Sequence, residues 1–141
     1  MSQQQRQPLK QQQQQQPQQL SNDQVKTMMP PLSQEFLESL IHPKHNGVQP
    51  MESRNIPPLI VIYFTASWCG PCNKLNLQRI TGLRRDIQWM LCDVDQNDYS
   101  LGYCGGRSIP AWLAIVNGKP QQLLQMSDDA AICKWLASLP A

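Results

Sequence analysis

The order of apolar runs along the chain predicts an α/β fold, a central mixed β-sheet flanked by helices on both faces. Residues 59–65 are a short, continuous, β-branched-rich apolar stretch of the kind found in strands covered on both sides, 87–94 read as a second buried strand, and a helix-length segment, 69–85, separates them. That β-α-β order requires a parallel pair joined by a right-handed crossover. Further on, Asn117-Gly118 between runs 111–116 and 121–126 reads as a hairpin, which adds an antiparallel edge.

The elements follow in order. Twelve of the first 20 residues are Gln, interrupted by Pro8 and Pro17, and such a segment cannot bury enough apolar surface to offset chain entropy. Residues 1–31 are therefore expected to form a disordered Gln/Pro-rich extension, and 32–141 the folded domain, with its core in 59–141. A short edge strand is expected over 24–29, stopped by Pro30-Pro31. Ser33 caps a helix over 34–41, with Leu32, Phe36, Leu37, Leu40 and Ile41 on one face and Pro43 ending it. Residues 42–58 read as a connecting loop through Gly47, Pro50, Pro57 and Pro58. His42 and His45 in that loop lack a neighbouring Cys or carboxylate pair, and no metal site is expected there.

The helix over 69–85 should turn Cys72, Leu75, Ile80 and Leu83 inward and Arg79, Arg84 and Arg85 outward. A short helix begins in the Asp95–Asp98 region and ends at Gly102 and Gly105-Gly106. Asp128-Asp129 opens a final helix with Ile132, Leu136 and Leu139 inward.

The net charge of +2 is spread without a basic stripe, so nucleic acid and membrane surfaces are not expected partners. No stretch is long and apolar enough to span a membrane, and no apolar core of a secretory signal is expected near the N-terminus. Five cysteines, an odd number, fit a reducing compartment better than an extracellular disulfide framework, which points to a cytoplasmic protein.

The chemistry centres on Trp68-Cys69-Gly70-Pro71-Cys72, between the strand at 59–65 and the helix that follows. Two cysteines at this spacing can close a small disulfide ring or stand as two thiols. At a helix N-terminus, unpaired N–H groups and the dipole favour the thiolate, which is the nucleophile in disulfide exchange. A zinc site would need two further ligands at suitable spacing, and the Gly-Pro pair between the sulfurs suits redox chemistry better.

These residues resemble the thioredoxin family. Residues 63–72, ending in Trp68-Cys69-Gly70-Pro71-Cys72, match the family's strand and active-site signature. Asp93-Val94-Asp95-Gln96-Asn97 matches the end of its next strand, Arg107-Ser108-Ile109-Pro110 its cis-proline loop, and Asn117-Gly118 its hairpin. The similarity covers 59–141, with 33–41 standing for the family's first helix. It implies a thioredoxin fold and a protein-disulfide reductase in which Cys69 is the nucleophile, Cys72 the resolving thiol, and Cys69–Cys72 the disulfide of the oxidised form. It also implies a substrate surface made by Trp68, Gly70, Pro71, Ile109 and a cis Pro110. The implied partners are disulfide-containing proteins and a thioredoxin reductase or glutathione system for recycling, with no bound cofactor and a monomeric state.

The departures are specific. Tyr63 stands where the family buries an Asp beneath the cysteines, and Leu91 where a Lys accompanies it. Since those groups are held to move the proton of the resolving thiol, resolution by Cys72 is expected to be slow here or to use water or another base. Leu77 replaces a kinking proline, so that helix is expected to be straighter; Met126 replaces a glycine beside the substrate groove. Cys92 and Cys133 read as core residues, and Cys104 as an exposed-loop thiol open to oxidation. The rival reading keeps the fold but makes it an adaptor with weak redox activity, distinguished by failure to accelerate insulin reduction by dithiothreitol.

Overall fold

The computed structural model describes residues 19–41 and 51–140. The expectations placed on residues 1–18, on His42 and His45 and on the loop prolines before residue 51 lie outside them. The elements are α1 (Asn22–Thr27), α2 (Gln34–Ile41), a 3-10 turn at Ser53–Asn55, β1 (Leu59–Thr65), α3 (Gly70–Asn73), α4 (Leu77–Gly82), β2 (Gln88–Asp93), α5 (Ser100–Tyr103), β3 (Ala111–Val116), β4 (Lys119–Pro120), β5 (Leu124–Gln125) and α6 (Asp129–Ser138).

β1 is the centre of the sheet because its residues are apolar on both faces. It pairs in parallel with β2, with Tyr63 opposite Leu91 and Thr65 opposite Asp93, and antiparallel with β3, with Tyr63 opposite Trp112. β4 and β5 both pair with β3. All seven β1 residues are buried, and alternation sends them to two different layers. Val61 and Tyr63 meet α1, α4 and α6 through Val25, Met29, Ile80, Ile132 and Leu136. Ile60, Ile62 and Phe64 meet α2 through Leu37 and Leu40. Helices thus cover both faces of a mixed sheet, as the apolar pattern requires.

Several elements differ from expectation. Residues 24–29 are not an edge strand: Asn22–Thr27 is helical, started by a capping box in which the Ser21 hydroxyl accepts from Gln24 N and Gln24 Oε1 accepts from Ser21 N. Residues 20–31 are packed structure, with Val25 and Met29 in the core. The edge position beside β2 is taken instead by residues 30–32, where Leu91 N donates to Pro30 O and Leu32 N to Leu91 O.

The long helix expected over 69–85 is two short ones. Cys72, Leu75 and Ile80 are buried, but Leu83 is 45% exposed. Arg84 is turned in rather than outward, donating to the carbonyls of Leu136, Leu139 and Pro140 at the end of α6 and to Asp86. The fourth strand is interrupted over residues 121–123, leaving β4 and β5 as separate pairs. The turn at Asn117-Gly118 is as expected, with φ of 50° and 78°.

Candidate active site

Cys69 and Cys72 sit just beyond the C-terminal end of β1. Their sulfurs are joined in a disulfide, with Cα atoms 5.2 Å apart. Cys69 is the N-cap of α3, and its Sγ accepts a hydrogen bond from Cys72 N at 3.2 Å. Pro71 stands in the first turn, where its missing N–H leaves no helical bond unmade. Ala66 forms one buried cluster with the two cysteines, and Val94 and Ile109 pack against it. Val94 is held there because its N–H donates to Thr65 O, carrying the β1–β2 ladder up to the site.

The residues expected to form a substrate surface surround this disulfide. Trp68 is 66% exposed, and its Nε1 donates to Asp95 Oδ1 at 3.0 Å, which fixes the indole against the loop after β2. A Cβ on Gly70 would meet nothing within 4 Å, so the backbone between the cysteines faces open space, while Cys69 and Cys72 themselves are buried. The Ile109–Pro110 peptide is cis, and the Ile109 carbonyl oxygen lies 3.8 Å from Cys69 Sγ. Among the described residues no group of three or more His, Cys, Asp or Glu could hold a metal.

One contributor was missed in the sequence. Gln125 Oε1 accepts from Arg107 N at 2.9 Å, Ser108 N at 3.0 Å and Ser108 Oγ at 3.2 Å, holding the segment that leads into Ile109-Pro110. Gln125 belongs to β5, whose register against Ala111 puts it beside that segment; no local motif marks it.

Tyr63 is 1% exposed and stacks on Trp112, ring centroids 4.3 Å apart. Burial pushes its hydroxyl up to about 12, an effect the Thr65 hydroxyl partly opposes. At neutral pH it is therefore protonated and is no acceptor for a thiol proton. Leu91 packs its side chain into the same layer. Met126 also packs into that layer, while its carbonyl accepts from Trp112 Nε1 at 3.0 Å. Cys92 and Cys133 are core residues as expected. Cys104 is half-buried rather than exposed, resting against the α2-side core, and burial pushes its thiol up to about 11.

The expectation of a straighter helix is overturned by the link between α3 and α4. Leu77 has the N–H that a proline would lack, yet the helix breaks before it. That N–H donates to Asn22 Oδ1 at 3.1 Å, and Asn76 caps α4 by accepting from Arg79 N. Asn76, within the segment, caps the second helix, and a side chain from α1 satisfies the backbone between the two.

Comparisons with known proteins agree with this geometry. The Thioredoxin family model matches residues 52–138. The chain is 30% identical over 63 residues to the TPR repeat-containing thioredoxin TDX of Oryza sativa subsp. japonica, covering 43% of this chain and 20% of that protein. It is 43% identical over 63 residues to the thioredoxin of Geodia cydonium, covering 43% of this chain and 59% of that one. The crystal structure of oxidised mitochondrial thioredoxin 3 from Saccharomyces cerevisiae superposes with a TM-score of 0.61 at 23% identity, over 82% of this chain and 99% of that one. The chain spans less than two thirds of the length of these two curated relatives, while the shared fold is nearly complete. With the family model covering more than half of its residues, this chain belongs to the thioredoxin family.

Proposed function

We propose that the chain is a protein-disulfide reductase acting by dithiol–disulfide exchange through Cys69 and Cys72. The observation that carries this reading is the Cys69–Cys72 disulfide at the start of α3, with Cys72 N–H aimed at Cys69 Sγ. In the reduced protein the same N–H and the helix start favour Cys69 as thiolate.

The Cys69 thiolate attacks one sulfur of a substrate disulfide. That bond breaks, a mixed disulfide forms, and the first substrate sulfur leaves as a thiolate that takes up a proton. Cys72, once deprotonated, attacks Cys69 Sγ and releases the second substrate sulfur. The substrate gains two electrons and two protons, and Cys69–Cys72 is left oxidised. Trp68, Gly70, Pro71, Ile109 and Pro110 form the surface on which an extended substrate segment lies, with the Ile109 backbone available for strand-like pairing. A thioredoxin reductase or a glutathione system returns the disulfide to the dithiol.

The protein works as a monomer in a reducing compartment, the cytoplasm. Cys92, Cys104 and Cys133 are unpaired, which supports that placement, and among the described residues no helix is long and apolar enough to cross a membrane. The reductase domain is built on residues 32–141 and includes the packed segment from residue 20, whose Val25 and Met29 enter its core.

A Cys72→Ser variant tests this directly. Cys69 should then retain substrates as mixed disulfides, released by dithiothreitol and identifiable by mass spectrometry, and wild-type protein should accelerate insulin reduction. Absence of both refutes the reductase and leaves the adaptor reading, which Tyr63 and Leu91 beneath the site favour.

A further inference from the structure

In an unbroken helix, Leu77 N–H would donate to the Asn73 carbonyl four residues earlier. Here the Asn22 carboxamide stands between those two groups. Its Nδ2 donates to Asn73 O at 3.4 Å and to Leu75 O at 2.7 Å, and its Oδ1 accepts from Leu77 N at 3.1 Å. The remaining N–H of the link, on Asn76, donates to both carboxylate oxygens of Asp129 at 3.2 Å. Side chains from both ends of the domain thus satisfy the backbone of a break that lies directly after Cys72.

α3 has only four residues, far too few to be stable alone, so its position is set by what holds its ends. At one end, Asn73 Nδ2 donates back to Ser67 O at 3.2 Å. At the other stands Asn22, itself anchored through buried Val25 and Met29 and through Leu20 N donating to Gln78 Oε1 at 2.8 Å.

We propose that Asn22 is a positioning residue for the redox pair: it fixes the end of α3 so that Cys72 Sγ stays within bonding reach of Cys69 Sγ. The inference rests on the disulfide-exchange reading and deepens it. Asn22 takes no part in the transfer of electrons or protons. It raises the effective concentration of the resolving thiol, because a held Cys72 meets Cys69 more often than one on a loose turn. The first attack is made by Cys69 at the other end of α3, which Asn22 does not bond, and depends on it less than resolution does.

The test uses the full chain with Asn22→Ala and Asn22→Asp; the latter keeps an acceptor for Leu77 N–H and loses both donations. Two quantities are read: the equilibrium of Cys69–Cys72 with glutathione, and single-turnover decay of a mixed disulfide on Cys69. Alanine should shift the equilibrium about tenfold toward the dithiol, about 30 mV more oxidising, and slow decay about tenfold. The rate of mixed-disulfide formation, measured with Cys72→Ser, should change less than decay does, and aspartate, whose second oxygen would face the Asn73 and Leu75 carbonyls, should be perturbed at least as much as alanine.

A folded alanine variant with wild-type equilibrium and decay overturns the proposal. So does equal slowing of attack and resolution, which marks general destabilisation. If alanine does not fold, the aspartate variant decides: an equilibrium shifted toward the dithiol with slower decay upholds the proposal and wild-type values overturn it. The glutathione equilibrium needs no protein substrate. Failure of the reductase reading would therefore show as an inactive wild type with the Asn22 effect intact, and failure of this proposal as an active wild type with indifferent variants.

Discussion

Tyr63→Asp puts a carboxyl group into the layer beneath the redox pair and tests whether the present residue limits the second half of the cycle. Tyr63 is fully buried in the core layer that also holds Leu75 and Leu77, which follow α3. The substitution removes the Trp112 stack, about 0.5–1.5 kcal/mol, and the transfer energy of a buried aromatic, about 1.5–3 kcal/mol, for a stability loss of roughly 2–5 kcal/mol. A domain with ordinary stability tolerates that loss. In exchange the site gains a group able to accept a proton near neutral pH, which burial drives toward the working range. General bases contribute about 10²–10⁴-fold when well placed, so at least about a tenfold faster mixed-disulfide decay is expected near pH 7. The assay is single-turnover decay of a fluorescent mixed disulfide on Cys69 between pH 5.5 and 9. In wild type the rate should climb across the whole range as Cys72 ionises; in the variant the acid limb should rise and flatten. Superposable profiles would refute the idea that Tyr63 slows resolution.

Two other predictions concern stability and binding. Burial raises the Tyr63 hydroxyl from 10.0 to about 12 and the Cys92 and Cys104 thiols from 9.0 to about 12 and about 11. The unfolded chain gives up these protons first, so it binds fewer protons than the folded chain between about pH 9 and 12, and stability must fall as pH rises through that window. Urea midpoints measured from pH 7 to 11 should show the fall, and Tyr63→Phe with Cys92→Val should flatten it; equal slopes would contradict the burial assignment. Gln125→Ala should release the Arg107–Ser108 segment and raise KM for insulin several-fold with kcat little changed, while Gln125→Glu, which keeps the acceptor oxygen, should restore it. An unchanged KM in the alanine variant would remove Gln125 from the site.

What could be read from the sequence was whatever local pattern determines. β1 and β3 were legible because an apolar run covered on both sides has one solution, and α2 because Ser33 and the spacing of Leu37 and Leu40 agree. Trp68–Cys72 and Ile109-Pro110 were legible as motifs. α1 could have been found from the Ser21-to-Gln24 capping box, but Val25, Lys26 and Thr27 suggested a strand. The broken helix has one local sign, Asn76 as a cap for Leu77–Gly82, but the side chain that satisfies the link, Asn22, is more than 50 residues away in sequence. Gln125 was hidden for the same reason, since it acts across the sheet on a loop 17 and 18 residues earlier.

The segment at residues 30–32 closes the sheet at its β2 edge. Leu91 spends its N–H and carbonyl on Pro30 O and Leu32 N, and Pro30 and Pro31 carry no N–H to offer onward. A further strand arriving at this edge would find no donor at either position, so the ladder cannot be extended there. In sequence, a run of glutamines, a composition prone to β-stacking, precedes α1 and this edge. With Pro30 and Pro31 in place, this edge offers no donor on which a strand of such composition could pair.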